Sequence, residues 1–399
     1  MNEEKRKQLG FDSRAVYYAP DEGSSSIGAP IFMSSSFHYG AEVYQKVVDG
    51  ERKSVNIYGR CGNPNEYQFE EQMIMIEGAD ACLATASGMA AISVTLFGLL
   101  KSGDHIVCDW TTYSSTHEML DHRLTDYGIN TTFVDTSNLD AVSDAIQKNT
   151  KVLYFESIAN PNMKVPDFKA LVKIAHEKKI IVVCDNTFAS PYVIRPLEWG
   201  VDIVVESATK FIGGHNDALG GVIAMKSDLL PDDFMEQIRW NTMVKWGSPL
   251  SPFNAWVLLR GIQTLPVRLE RQCKTAMTLA EYFSGHPKVK RVWYPGLESH
   301  PQHELAKKQM PKYGGMLTFE VKDGDDALTV LDNLELACFA ASLGGVRTTT
   351  QIPATMAFLD IVEEERQEMN IFQGMIRVST GLEDPNDLIA DFEAALSLI

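Results

Sequence analysis

Between residues 105 and 205 the chain repeats one pattern, a short apolar run followed by a polar stretch and then another apolar run. His105-Ile106-Val107-Cys108, Thr132-Phe133-Val134, Val152-Leu153-Tyr154-Phe155, Ile180-Ile181-Val182-Val183 and Ile203-Val204-Val205 read as strands bounded by polar or turn residues. Residues 139–147 and 167–178, between them, carry helical patterns, and 88–100 reads as a buried helix. Strands that are apolar on both faces must be covered on both. The alternation therefore predicts an α/β fold, a mostly parallel sheet sandwiched by helices. In such sheets ligands bind beyond the carboxyl ends of the strands. Residues just after each strand are the candidates for chemistry.

The flanks differ. Residues 1–62 are rich in Ser, Gly, Tyr and Pro, with Ser24-Ser25-Ser26 and Ser34-Ser35-Ser36 on either side of Pro30. They read as an extended arm that packs on something, another subunit being one candidate, because so long an irregular segment rarely opens a domain unsupported. Residues 63–257 form the large domain. A long helical region over 253–283 with a break near Pro266, an alternating strand over 315–321 and an amphipathic helix over 385–398 make 258–399 a smaller α+β domain.

A net charge of −17 argues against a partner that is nucleic acid or an anionic membrane surface. The start, MNEEKRKQLG, lacks the apolar core of a signal peptide, and the most apolar run, 90–100, is too short to span a bilayer. Six scattered cysteines contain no C-x-x-C pair, so neither a disulfide framework nor a zinc site is signalled and a cytoplasmic location is expected. His300, His303 and Glu304 fail as a metal motif, since the second histidine of H-E-x-x-H would fall at Lys307; no metal is expected and a surface loop is.

Four strand-end features can carry chemistry. Ser207-Ala208-Thr209-Lys210 follows a strand and precedes Gly213-Gly214-His215. Its lysine could form a Schiff base while the hydroxyls hold a phosphate, or it could be a solvated loop lysine. Asp185 ends the run IIVVC and could contact a ligand or cap a turn. An acid 25 residues before the lysine, one helix and one strand away, is the arrangement that pairs a pyridinium nitrogen with a Schiff-base lysine. Ser87-Gly88-Met89 opens the apolar helix with backbone N–H groups free for a phosphate. Tyr113 could stack on a flat ring or be structural. Ser207-x-x-Lys210 also matches a serine acyl-enzyme signature, but its companions S-D-N and K-T-G are replaced by Cys184-Asp185-Asn186 and Lys274-Thr275-Ala276.

Longer segments match a known family in its own order. They are Tyr58-Gly59-Arg60 with Asn63-Pro64, Ala86-Ser87-Gly88-Met89, Glu156-Ser157 with Asn160-Pro161, Asp185-Asn186-Thr187, and Ser207-Ala208-Thr209-Lys210. Leu259-Arg260-Gly261, Ser342-Leu343-Gly344-Gly345 and Arg377-Val378-Ser379 continue the series. The chain resembles the cystathionine γ-synthase-like family of pyridoxal 5'-phosphate (PLP) enzymes of cysteine and methionine metabolism, fold type I, with an aspartate aminotransferase-like architecture. The resemblance implies that Lys210 binds the cofactor and later moves the Cα and Cβ protons, and that Asp185 keeps the pyridine nitrogen protonated. Gly88, Met89, Ser207 and Thr209 would hold the phosphate, joined by Tyr58 and Arg60 of a neighbouring subunit. Tyr113 would stack on the ring and assist proton transfer at the leaving group, Asn160 would bond the ring oxygen, and Ser342, Arg347 and Arg377 would meet the substrate. A homotetramer, a dimer of dimers with shared active sites, is implied.

The implied reaction on a small amino acid is γ-elimination of the methionine γ-lyase or cystathionine γ-lyase type. The alternative is γ-replacement on O-acetyl- or O-succinyl-homoserine. The chain departs from the family at its substrate side: Ala357 and Phe358 stand where a Thr-His pair is common, and Arg347 where cystathionine enzymes commonly carry glutamate. Ser115 and Met243-Val244 stand where methionine γ-lyases usually have a cysteine and a Lys-Asp pair.

Overall fold

The structure, a computed structural model, describes residues 3–17, 25–50, 55–359 and 361–399, so Ser24, at the head of the first serine run, and parts of the 1–62 arm lie outside the described residues. Its larger sheet holds β1 (Ala81–Thr85), β2 (His105–Asp109), β3 (Asn130–Val134), β4 (Thr150–Glu156), β5 (Ile181–Asp185), β6 (Ile203–Glu206) and β7 (Gly221–Met225), in the order β1-β7-β6-β5-β4-β2-β3. β6, β5, β4, β2 and β3 are parallel, as their unbroken apolar runs predict. β1 and β7 go beyond the sequence expectation. Their runs, ACLAT and GVIAM, lack the β-branched density of the others, and their antiparallel pairing with each other, and of β7 with β6, decides them. With β7 reversed between them, β1 and β6 point the same way. The carboxyl ends of β1, β6, β5, β4 and β2 therefore share one edge.

Helices cover both faces. Gly88–Leu99 carries no charged residue and buries Ala91, Ile92, Val94 and Leu96 on the sheet; Ser87 caps it by accepting the Ala90 N–H at 3.1 Å. The two helices expected over 139–147 and 167–178 are shorter, Leu139–Ala145 and Phe168–His176, with Asp167 as an N-cap rather than a helical residue. The break expected near Pro266 falls at Gln263-Thr264, and Pro266 sits in the first turn of Leu265–Gly285, where its missing N–H is not needed.

The smaller sheet holds β8 (Arg291–Trp293), β9 (Met316–Glu320), β10 (Cys338–Phe339), β11 (Thr349–Gln351) and β12 (Met375–Ser379), in the order β10-β11-β12-β9-β8. Only β9 stands out in sequence, because β8, β10 and β11 are two or three residues long and β12, as long as β9, carries Arg377 at its centre. The helices Leu265–Gly285 and Pro385–Leu396 pack on this sheet; Phe283 stacks on Phe319 at 4.0 Å and meets Phe392 edge-on at 5.1 Å. A second apolar cluster runs without interruption from Phe69 and Leu153 to Leu343 and Met375, joining the two sheets.

The arm is less extended than its composition suggests. Helices Glu3–Lys7, Phe11–Val16 and Ala41–Val48 interrupt it. The first of its described stretches is held by this same chain: Phe11 meets Tyr192 edge-on at 5.5 Å, Arg14 donates to the Met75 carbonyl at 2.8 Å, and Ala15 is buried. Short amphipathic helices with one or two anchors escape a periodicity reading. His300 also corrects the expectation of a surface loop; it is buried, and the site lowers its pKa to about 4 through burial and then His303. His303 and Glu304 begin the helix His303–Gln309.

Candidate active site

The shared edge of strand ends opens into a cavity of about 430 Å³. Each strand delivers one or more candidates to it: β1 leads to Gly88 and Met89, β2 to Tyr113, β4 to Asn160, β5 to Asp185, β6 to Ser207, Thr209 and Lys210. The smaller sheet closes the other side with Ser342 and Arg377. Arg377 lies mid-strand in β12, opposite Gln351 of β11 and Thr318 of β9, so its direction is set by sheet register.

Lys210 Nζ donates to Ser342 Oγ at 2.8 Å. Burial, and then the Arg377 cation, lowers its pKa to about 8, which leaves a useful fraction of free amine near neutrality. Arg377 is buried, and its acceptors among the described residues are all neutral: Asn160 Oδ1 at 3.1 Å, Gln351 Oε1 at 2.8 Å and the Ser342 carbonyl at 3.1 Å. Burial lowers even its pKa to about 10, with Tyr113 and Glu156 opposing. A buried guanidinium without a carboxylate partner is costly, and an anionic ligand would offset that cost. Asp185 is likewise buried; Oδ1 accepts the Thr187 N–H at 2.9 Å and Oδ2 the Tyr154 hydroxyl at 3.4 Å. Burial raises its pKa, with those donors opposing, so a cation set against it would restore the carboxylate.

The phosphate candidates meet where the Gly88–Leu99 helix starts. A Cβ on Gly88 would lie 2.7 Å from Ser207 Cβ, so only glycine lets the helix N-terminus approach this loop. The first N–H groups of a helix lack partners within it, and the Gly88 and Met89 amides are two of these. Ser207 N donates to Thr187 Oγ1 at 2.9 Å, and Thr209 Oγ1 is engaged with the Gly220 backbone, at 3.1 Å to its N–H and 3.3 Å to its carbonyl.

Three candidates are not brought to this cavity. Tyr58 and Arg60 lie elsewhere on the chain; Arg60 donates to the Val244 carbonyl at 2.7 Å and its guanidinium stands 5.6 Å from the Tyr58 ring. Arg347 lines an adjoining cavity of about 620 Å³, which shares Thr209, Leu219, Ala341 and Ser342 with the first. At the positions where the chain departs from the family it resembles, Met243, Val244 and Phe358 are buried in apolar clusters where charge would be stranded, while Ser115 and Ala357 line the main cavity. Sequence reasoning misses two site residues. Glu156 ends β4 as Asp185 ends β5, and the same strand-end signal could have found it. Gln351 has no sequence signal, because only the pairing of β11 with β12 brings it to Arg377.

Known proteins share this chain's sequence and architecture. Residues 15–397 match the profile of a family described as Cys/Met metabolism PLP-dependent enzyme. An L-methionine gamma-lyase of Fusobacterium nucleatum subsp. polymorphum is 44% identical over 98% of this chain and 99% of its own length. A cystathionine beta-lyase of Coxiella burnetii is 39% identical over 99% of this chain and 100% of its own. Among solved structures, cystathionine gamma-lyase from Lactobacillus plantarum, complexed with L-serine, superposes with a TM-score of 0.90 at 33% identity, covering 98% of this chain and 99% of that one.

Proposed function

The chain belongs to the Cys/Met metabolism family of PLP-dependent enzymes, and on that premise we propose that it is a carbon–sulfur lyase that eliminates the γ-substituent of a sulfur-containing amino acid. With methionine and water the products are methanethiol, 2-oxobutanoate and ammonia. The observation that most supports this reading is the meeting, in one cavity, of a low-pKa lysine, a buried strand-end aspartate and a buried arginine whose acceptors are neutral.

The residues suit the cofactor. The glycine-only approach of the helix start to Ser207 makes a cradle for a phosphate, and Asp185 is an acid in need of a cation. PLP, when bound, supplies an electron-withdrawing pyridinium ring that stabilises negative charge at Cα and Cβ. Gly88, Met89, Ser207 and Thr209 would hold the phosphate, Asp185 would keep the ring nitrogen protonated, and Asn160 would hold the ring oxygen. Lys210 would hold the aldehyde end of the cofactor, and its amine would move protons at the substrate Cα and Cβ. Arg377, with Ser342 beside it, grips the substrate carboxylate through a bidentate fork. Tyr113, which lines the cavity, would pack on the ring and give a proton to the departing sulfur.

The division into an arm over 1–62, a PLP-binding domain over 63–257 and a small domain over 258–399 accommodates these roles, with Tyr58 and Arg60 reaching the phosphate of a neighbouring subunit. The working form is a cytoplasmic homotetramer, a dimer of such pairs. A second reading, γ-replacement on an O-acyl homoserine, is supported by Arg347 beside the side cavity, where it could meet a succinyl carboxylate. Both readings are tested by supplying the holoenzyme with methionine, homocysteine, cystathionine, cysteine and the two O-acyl homoserines. Elimination, with no added thiol, yields a 2-oxo acid and ammonia together with a thiol or sulfide from the sulfur substrates and a carboxylate from the O-acyl homoserines. If 2-oxo acid never forms and added thiol gives a thioether instead, replacement is the activity.

A further inference from the structure

Glu156 ends β4 directly opposite Asp185 in the register with β5. Its side chain is buried and lines the cavity, yet it is spent on protein backbone. Oε1 accepts the Tyr113 N–H at 2.6 Å and Oε2 the Asn160 N–H at 3.2 Å. One carboxylate thus ties the loop after β2 to the loop after β4. The connection continues: Asn160 Oδ1 accepts from Arg377 at 3.1 Å, Arg377 donates to the Ser342 carbonyl at 3.1 Å, and Ser342 Oγ accepts from Lys210 Nζ at 2.8 Å. Burial and then the Asp185 charge hold the Glu156 pKa well above the usual carboxylate range, with the two N–H donors opposing.

The chemistry demands glutamate. Both partners are fixed donors, and a carboxylate accepts at both oxygens. A carboxamide offers one acceptor and one NH₂, which would face an N–H. Aspartate keeps the charge but falls short by one bond, about 1.5 Å.

We propose that Glu156 is a positioning residue whose carboxylate sets the separation between Tyr113 and the Asn160–Arg377 pair, and so between the ring-stacking, proton-donating group and the carboxylate grip. This rests on the PLP-lyase reading above.

The test uses the holoenzyme with Glu156→Gln, Glu156→Asp and Glu156→Gln combined with Tyr113→Phe. Misplacement of order 1 Å should lower kcat about 10- to 100-fold in Glu156→Gln, with KM rising separately through the Asn160–Arg377 arm. The pH midpoint of the bound cofactor's absorbance should move, while the melting midpoint stays near that of the parent. In the Tyr113→Phe background most of the kcat loss should vanish, because the two act as a unit. Unchanged kcat, KM and absorbance would overturn the proposal, as would full additivity with Tyr113→Phe or full rescue by aspartate. If the variants do not fold, hydrogen exchange on the parent holoenzyme decides. Tyr113 and Asn160 amides should exchange as slowly as those of β4, and exchange at loop rates overturns the proposal. Absorbance and exchange need no substrate, so both measurements bear on Glu156 even if the substrate screen refutes the lyase reading.

Discussion

At Lys210, burial and the Arg377 cation lower the amine pKa to about 8. An amine attacks an aldehyde only when neutral. At pH 7 a pKa near 8 leaves about one amine in ten neutral, against roughly one in 2,500 for an ordinary lysine. The rate at which apoprotein takes up PLP should therefore rise with pH and level off above about 8. Arg377→Gln removes one of the two causes, so its midpoint should move upward, burial remaining as the larger cause. Stopped-flow absorbance after mixing with PLP measures both, and an unshifted midpoint would show that Arg377 does not act on this amine. Borohydride reduction should fix the cofactor on Lys210 and fail in Lys210→Ala. Lys210, Asp185 and Tyr113 are readable at this scale because each follows a short apolar run.

The phosphate cradle belongs to the scale of elements. Ser207 Cβ stands where a Gly88 side chain would begin, so Gly88→Ala must push the start of the Gly88–Leu99 helix away from the loop after β6. Overpacking of this kind costs roughly 1–3 kcal/mol. If that strain is relieved by losing the cradle, the dissociation constant for PLP should rise about tenfold or more. Titration of the apoprotein measures it, and an unchanged constant means the phosphate is held elsewhere. Thr209 illustrates the same scale differently. Sequence reading puts its hydroxyl on the phosphate, whereas its Oγ1 bonds the Gly220 backbone, so it also braces the loop that carries Lys210.

For the whole molecule the informative residues are those the single chain leaves outside its own cavity. Tyr58 is 47% exposed, and the Arg60 side chain is directed to the Val244 carbonyl. In the proposed shared-site assembly these two would serve the neighbouring cavity, so Arg60→Ala should weaken PLP binding. A mixture of inactive Arg60→Ala and inactive Lys210→Ala should regain activity, because a mixed pair contains one site with both residues intact. A mixture that stays inactive despite demonstrated subunit exchange would refute sharing.

What the sequence determined by itself was whatever depends on neighbours along the chain. The parallel strands, the strand-end candidates Lys210, Asp185 and Tyr113, and Gly88 at the start of an apolar helix follow from short-range patterns of burial and turn chemistry. Tertiary structure alone decided what depends on partners far apart in sequence. β1 and β7 exist because they pair with each other, and Gln351 reaches Arg377 through the register of β11 with β12. Glu156 gains its part from two backbone donors, one of them 43 positions away. Arg347, a charge with no local signal of direction, is sent to the adjoining cavity by the loop that leads into β11. Periodicity records which residues are buried, and only the folded chain records what each buried group meets.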